Sequence, residues 1–201
     1  MAHADVEART LRLTLVVFGA ARAGKSALLR AIHEHVTPEH RGSEGPVGEM
    51  GAAGLPLDWV PLDLGDVAGW HTLVHLYAVP AQEHADATRR LVLAQADGVL
   101  FVVDAQASRL EANRSAMAAL RGQLVEESGD VRRLPMVFVV TKEDLPGELL
   151  LDRPTLESAI NPDGAPMFGC DLARGEGVFR ALQAVIGAAM RQVIALPGPS
   201  A

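Results

Sequence analysis

Apolar runs alternate with helix-like patterns along most of the chain. Four runs predict strands, at residues 11–18, 70–79, 98–103 and 135–141. The last two are nearly continuous Val, Leu and Phe, which is typical of strands that are covered on both faces. Because segments with helical spacing separate most of these runs, the pattern favours a parallel sheet with helices packed against it.

Three segments predict helices from the spacing of their apolar residues. The first begins at about Ser26, and the other two lie near residues 110–124 and 178–193. The alternation stops between residues 41 and 56, where glycine recurs at every third position. This run is too short and too poor in proline for a collagen helix, so it predicts a flexible loop.

Length and composition limit the class of protein. The 201 residues predict one domain at residues 11–195, between an extension at 1–10 and a tail at 196–201. The net charge of -7 and the aromatic content of 4% argue against a nucleic-acid partner. A single cysteine, Cys170, excludes an internal disulfide and fits the cytoplasm. Because the chain shows no signal core, lipidation motif or long apolar run, we expect no intrinsic membrane anchor.

Only two of the 18 basic residues are lysines. Lys25 lies in a segment that fits G-x-x-x-x-G-K-[ST], between the first predicted strand and the first predicted helix. In such a loop, backbone N–H groups surround the phosphates of a nucleotide, the lysine reaches the β and γ phosphates, and the serine holds Mg²⁺. With Ser26 as the metal ligand, the predicted nucleotide contacts are Gly19, Ala21, Arg22, Ala23, Gly24, Lys25 and Ser26.

The other lysine lies in Thr141-Lys142-Glu143-Asp144, directly after the last apolar run. This segment fits [NT]-K-x-D, in which the aspartate accepts hydrogen bonds from N1–H and the 2-amino group of guanine. Alone, the pattern also fits a solvated turn. Ligands of open α/β sheets bind at the carboxyl ends of the strands, however, and this segment falls at such an end. Thr141, Lys142 and Asp144 are therefore candidate guanine contacts.

With both motifs placed, the chain resembles the Ras-like small GTPases, and within them the branch that acts in bacterial polarity and gliding motility. Segments 61–82, 97–113, 142–146 and 175–179 carry the resemblance, which extends over roughly residues 11–195. It implies a Ras-like P-loop GTPase fold of the α/β class. We expect a mostly parallel six-stranded sheet with one antiparallel edge strand, flanked by about five helices.

The resemblance also implies what the protein does. It implies a guanine-nucleotide switch that binds GTP or GDP with Mg²⁺ and changes residues 37–56 and 80–88 between its states. It further implies an activating partner of the Roadblock/LC7 type, together with effectors and recruitment to a cell pole or membrane by such partners.

The resemblance assigns roles to residues outside the two lysine motifs. Gln82 is implied as the catalytic residue that orients the attacking water, with Ala81 beside the nucleotide. Asp171, Leu172 and Ala173 are implied as contacts of the guanine carbonyl, Leu172 through its backbone N–H.

His71 and His75 would share one face of a strand, and we expect them to pack there rather than to bind zinc.

Several residues depart from the family pattern at the γ-phosphate. Ala21 and Ala81 replace glycines, and Ala78 occupies the position of an aspartate that supports Mg²⁺. Ala53 and Gly54 stand where the related branch has an arginine and a threonine. Because an arginine there would stabilise the charge that develops during phosphoryl transfer, its absence predicts slow turnover.

These departures leave more than one interpretation open. Thr37, Arg41 or Ser43 could take the missing roles if the glycine-rich loop folds inward. The first interpretation is a GTPase that is slow unless a partner stimulates it. An alternative is a nucleotide-binding interaction module with negligible hydrolysis, and a third is an ATPase, which requires that the guanine motif be accidental.

Overall fold

The computed structural model describes residues 3–42, 58–80, 86–128 and 134–195. Several predicted residues therefore lie outside the described ranges. They are Ser43, Ala53, Gly54, Ala81 and Gln82, together with most of the glycine-rich loop and the tail at 196–201.

The described strands form one sheet. They are β1 (His3–Asp5), β2 (Thr10–Gly19), β3 (Asp58–Val67), β4 (Trp70–Ala78), β5 (Gly98–Asp104), β6 (Met136–Thr141) and β7 (Met167–Gly169). The order across the sheet is β3-β4-β2-β5-β6-β7, and β1 pairs with β2. The central strands are parallel, and β3 is the predicted antiparallel edge strand, paired with β4.

The prediction of six strands was wrong by one, because β1 is a seventh strand. This strand pairs antiparallel with the start of β2, from Asp5 opposite Thr10 to His3 opposite Arg12. β5 pairs with β2 only from Leu15 onward, so the first residues of β2 offer a free edge to β1. Three residues are too few to show the alternation that predicts a strand from sequence.

Five α-helices lie in the described part of the chain, as predicted. They are α1 (Lys25–His35), α2 (Asp86–Leu93), α3 (Leu110–Ser128), α4 (Arg153–Ile160) and α5 (Val178–Ala195). α4 begins at a sequence-encoded cap, because the carboxylate of Asp152 accepts the N–H of Thr155 at 2.9 Å. Within the described residues, no helix is long and apolar enough to cross a membrane.

Two hydrophobic cores lie on opposite faces of the sheet. One packs α1 and α5 against one face, and the other packs α3 and α4 against the opposite face. All seven residues of β5 are buried, as its continuous apolar sequence predicts. Because β2, β5 and β6 run parallel, their carboxyl ends bring Gly19, Asp104 and Thr141 to the same edge of the sheet.

Candidate nucleotide-binding site

The loop between β2 and α1 has a backbone that requires glycine at two positions. Gly19 has φ 147° and Gly24 has φ 108°, values that L side chains rarely adopt. A Cβ at Gly19 would also collide with the carbonyl oxygen of Val102 on β5. The two glycines of the predicted motif are therefore explained by local geometry.

Lys25 folds back over the loop that precedes it. Its ammonium donates to the carbonyl oxygens of Gly19 and Ala20, at 2.8 and 2.9 Å. Burial and, to a smaller extent, the nearby charge of Arg89 together lower the pKa of Lys25 to about 8. A phosphate would therefore gain a half-buried cation that has no anionic partner among the described residues.

The outer side of the loop is held from two other elements. Arg109 donates from Nη2 to the carbonyl oxygen of Ala21 at 2.6 Å. Thr141, at the end of β6, donates from its buried hydroxyl to the carbonyl oxygen of Ala23 at 2.8 Å. The loop carbonyls thus have partners on the protein side.

The backbone donors of the loop contrast with its carbonyls. In the described ranges, the N–H groups of Arg22, Gly24, Lys25 and Ser26 have no hydrogen-bond acceptor in the protein. These donors lie at the N-terminus of α1, where a helix presents unpaired N–H groups and a partial positive charge. This arrangement fits a phosphate ligand.

The predicted guanine motif lies beside this loop. A single hydrogen bond joins Thr141 to the loop, and Lys142 follows with φ 63°. The ammonium of Lys142 lies 2.5 Å from Oδ2 of Asp104 at the end of β5. The exposed Asp144 carboxylate has no hydrogen-bond partner within the described ranges, so it is free to accept donors from a base.

The third predicted segment closes the same side of the site. The carboxylate of Asp171 accepts the N–H groups of Ala173 and Arg174, at 3.0 and 3.1 Å. The N–H of Leu172 has no acceptor among the described residues. A Cβ built on Gly24 would lie 3.4 Å from Cδ1 of Leu172, which brings this segment against the phosphate loop.

Asp104 organises the site, although no sequence motif assigned it a role. This residue is fully buried. Its backbone is held by Asn113, whose side chain accepts its N–H at 3.3 Å and donates to its carbonyl at 2.8 Å. Its carboxylate accepts from the backbone and side chain of Gln106. Its sequence signal was weak, because an aspartate at the end of an otherwise apolar strand also fits an exposed strand end.

The described residues offer few ligands for Mg²⁺. Ser26 is exposed at the first turn of α1, and Ala78 is a buried methyl at the end of β4. The hydroxyl of Thr37 donates to Glu39 at 3.3 Å, and the guanidinium of Arg41 donates to the carbonyl of Glu34 at 3.4 Å. Thr37 and Arg41 thus make local contacts.

A protein-only metal cluster does not account for the site. Within the described ranges, no group of three or more His, Cys, Asp or Glu side chains could hold a metal ion. His71 lies instead 3.4 Å from Asp63, and His75 packs edge-on against Trp59. A cation at Ser26 would therefore need oxygen ligands from the nucleotide as well as from the protein.

The fold and the loop together define a P-loop nucleotide-binding protein, with its site at the carboxyl edge of a mostly parallel sheet. No protein-family model matches the chain. The chain is 33% identical over 185 residues to the mutual gliding-motility protein MglA of Myxococcus xanthus, an alignment that covers 92% of this chain and 94% of that protein. The chain therefore belongs to the MglA family of Ras-like GTPases, and the predicted Ras-like fold is confirmed.

Proposed function

We propose that this chain is a guanine-nucleotide switch that binds GTP and GDP with Mg²⁺ and hydrolyses GTP slowly until a partner stimulates it. One observation carries the proposal: Thr141 of the guanine motif donates a hydrogen bond to Ala23 of the phosphate loop. A single ligand with a guanine base and phosphates can therefore contact both segments at once. Membership of the MglA family supports the same class of protein.

The phosphates would bind to the loop backbone and to Lys25. The N–H groups of Arg22, Gly24 and Ser26, which have no acceptor within the described ranges, would supply donors, and the half-buried ammonium of Lys25 would supply a positive charge. Ser26 is the side chain that would hold Mg²⁺. When bound, this cation neutralises charge on the β and γ phosphate oxygens.

The base would be selected by an acceptor and a donor. The carboxylate of Asp144 accepts hydrogen bonds from N1–H and the 2-amino group of guanine, whereas adenine offers neither in that arrangement. The N–H of Leu172, which finds no acceptor in the described part of the chain, would donate to the guanine carbonyl, and at the same position adenine carries an amino group. These two preferences disfavour the ATPase interpretation.

Hydrolysis would be weak without help. Gln82 is assigned to the attacking water by the family pattern, and Ala21 and Ala81 stand where that pattern has glycines, so their added methyl groups would leave less room for the water. Ala53 supplies no arginine charge for the transition state. The same residues also favour the alternative, an interaction module that binds nucleotide without hydrolysing it. A measurement of GTP hydrolysis distinguishes the two functions.

The biological setting is proposed from the relative. The name of the Myxococcus xanthus protein points to gliding motility, and we extend this to cell polarity, motility or an allied pathway. An activating protein of the Roadblock/LC7 type would supply the missing stimulation. The protein would act in the cytoplasm and reach a cell pole or membrane through its partners.

Nucleotide binding is tested first. The purified protein is denatured, the released nucleotide is identified by chromatography, and affinities for GDP and ADP are measured by fluorescence. We expect the released nucleotide to be a guanine nucleotide, and we expect GDP to bind much more tightly than ADP. Lys25→Ala should abolish GDP binding. Arg30→Ala is the matched control, since Arg30 is an exposed cation on the same helix. Unchanged GDP affinity in Lys25→Ala would refute the phosphate-loop assignment.

Hydrolysis is tested separately. Single-turnover GTP cleavage is followed with and without a Roadblock/LC7-type protein, in the wild type and in Gln82→Leu. A partner-dependent rate that Gln82→Leu removes supports the switch with hydrolysis. If the wild type and the variant are equally slow even with the partner, the non-hydrolysing alternative is correct.

A further inference from the structure

Arg109 lies between β5 and α3, and its side chain contacts the phosphate loop. It ends the 3-10 turn Ala107–Arg109, which links β5 to α3. Its Nη2 donates to the carbonyl oxygen of Ala21, a residue 88 positions earlier, at 2.6 Å. Its Nε lies 3.5 Å from Oδ2 of Asp104. One guanidinium therefore contacts both the loop and a buried carboxylate.

Asp104 is a fixed point for this contact. Its side chain is 0% exposed, while that of Arg109 is 31% exposed. The side chain of Asn113 holds both the backbone N–H and the carbonyl of Asp104, and Gln106 donates to its carboxylate at 3.0 Å. An anion held in this way cannot follow a displaced arginine, so it sets the position of the guanidinium.

The loop needs such an outside contact. Arg22, next to Ala21, has φ 62°, a conformation that a residue other than glycine rarely adopts. The loop shape therefore depends on surrounding contacts rather than on local preference. A charge-assisted hydrogen bond to the Ala21 carbonyl holds that group outward. Adjacent N–H groups then keep the orientation in which phosphate can accept from them.

We propose that Arg109 is a positioning residue of the phosphate loop, anchored on Asp104 and acting through the carbonyl of Ala21. This inference rests on the proposed nucleotide site. Arginine suits the task because its planar fork reaches two acceptors at once, whereas a lysine ammonium has no such geometry. Because the contact is with the loop, Arg109 should affect phosphate binding and leave the choice of base unchanged.

The test measures affinities and dissociation rates of GDP, GTP and inosine diphosphate, using N-methylanthraniloyl derivatives of each nucleotide. Arg109→Ala, Arg109→Lys and the wild type are compared with Arg114→Ala. Arg114 is the matched control, because it pairs with Glu111 at 2.8 Å on the exposed side of α3. Thermal unfolding without nucleotide reports whether each variant is folded at the assay temperature.

We expect Arg109→Ala to raise the dissociation constants of all three nucleotides by about tenfold, the loss of one charge-assisted hydrogen bond. The ratio of GDP to inosine diphosphate affinity should stay at the wild-type value, because that ratio reports the 2-amino group of guanine. Arg109→Lys should recover part of the loss, and Arg114→Ala should show none.

Two results would overturn the inference. One is wild-type nucleotide affinity in a folded Arg109→Ala variant. The other is a changed ratio of the affinities for GDP and inosine diphosphate, which would show that Arg109 acts on base recognition. Failure of the proposed function looks different. In that case the wild type itself does not bind GDP, or Lys25→Ala binds GDP as the wild type does.

Discussion

Lys25 should take up a proton when nucleotide binds at alkaline pH. Burial, which is the larger cause, and the charge of Arg89 together lower the pKa of Lys25 to about 8. A phosphate beside the ammonium stabilises the charged form and raises the pKa again. Because the bound state holds the proton more tightly than the free state, binding takes up protons, and the uptake grows as pH rises above 7.

The magnitude follows from the pKa of the free protein. With a pKa of about 8, Lys25 is about nine-tenths protonated at pH 7 and about one-quarter protonated at pH 8.5. If phosphate restores the ordinary pKa, uptake is about 0.1 proton at pH 7 and about 0.75 proton at pH 8.5. GDP affinity should accordingly fall by about fourfold between these two values.

Calorimetry measures this uptake directly. GDP is titrated at each pH in two buffers with different ionisation enthalpies, with EDTA present so that no divalent cation competes for the phosphates. Arg89→Met should reduce the uptake at pH 8.5, because it removes the second cause of the low pKa. Equal proton uptake at pH 7 and pH 8.5 in the wild type would refute the reasoning.

Three further predictions concern the backbone and the base. Thr141→Val should lower the free energy of unfolding in urea by about 1–3 kcal/mol, because the buried carbonyl of Ala23 loses its donor. Thr141→Ser should keep the hydrogen bond. Equal losses of stability in the two variants would contradict this reasoning. Gly19→Ala should lower the free energy of unfolding by at least about 3 kcal/mol in the same assay. The added methyl would collide with the Val102 carbonyl, and the positive φ would be strained for alanine. A smaller loss of stability would contradict this reasoning. Asp144→Asn should shift nucleotide preference from GDP toward xanthosine diphosphate. The reason is that an amide can donate to the carbonyl that xanthine carries in place of the 2-amino group of guanine. Unchanged relative affinities for the two nucleotides would exclude Asp144 from base contact.

Four of the strands (β2, β4, β5 and β6) and the loop between β2 and α1 were predictable, because their causes are local. The continuous apolar sequence of β5 has one stable environment, a strand covered on both faces, and the structure buries every residue of it. The glycines at 19 and 24 are needed by the backbone of the loop itself. By contrast, β1 depends on the free edge that β5 leaves beside the start of β2, which is a property of the assembled sheet.

The contacts around Asp104 could not be predicted for a similar reason. The sequence shows an aspartate after six apolar residues, and this alone fits an exposed strand end. Its burial and its pairing with Lys142 depend on β6 lying next to β5 in parallel register, with Asp104 opposite Thr141. The pattern assigns Lys142 to the base motif, but its partner depends on the order of the strands in the sheet.

The distribution of lysine and arginine now has a structural explanation. Each of the two lysines places a compact ammonium in a confined position, Lys25 against two loop carbonyls and Lys142 against the carboxylate of Asp104. Arg109 does what an ammonium does poorly, because its fork spans the loop and Asp104 together. Asp104 thus receives cations from both the base motif and the phosphate side. Asp104→Asn should therefore weaken GDP binding more than Arg109→Ala does, since it loosens Lys142 as well as the loop.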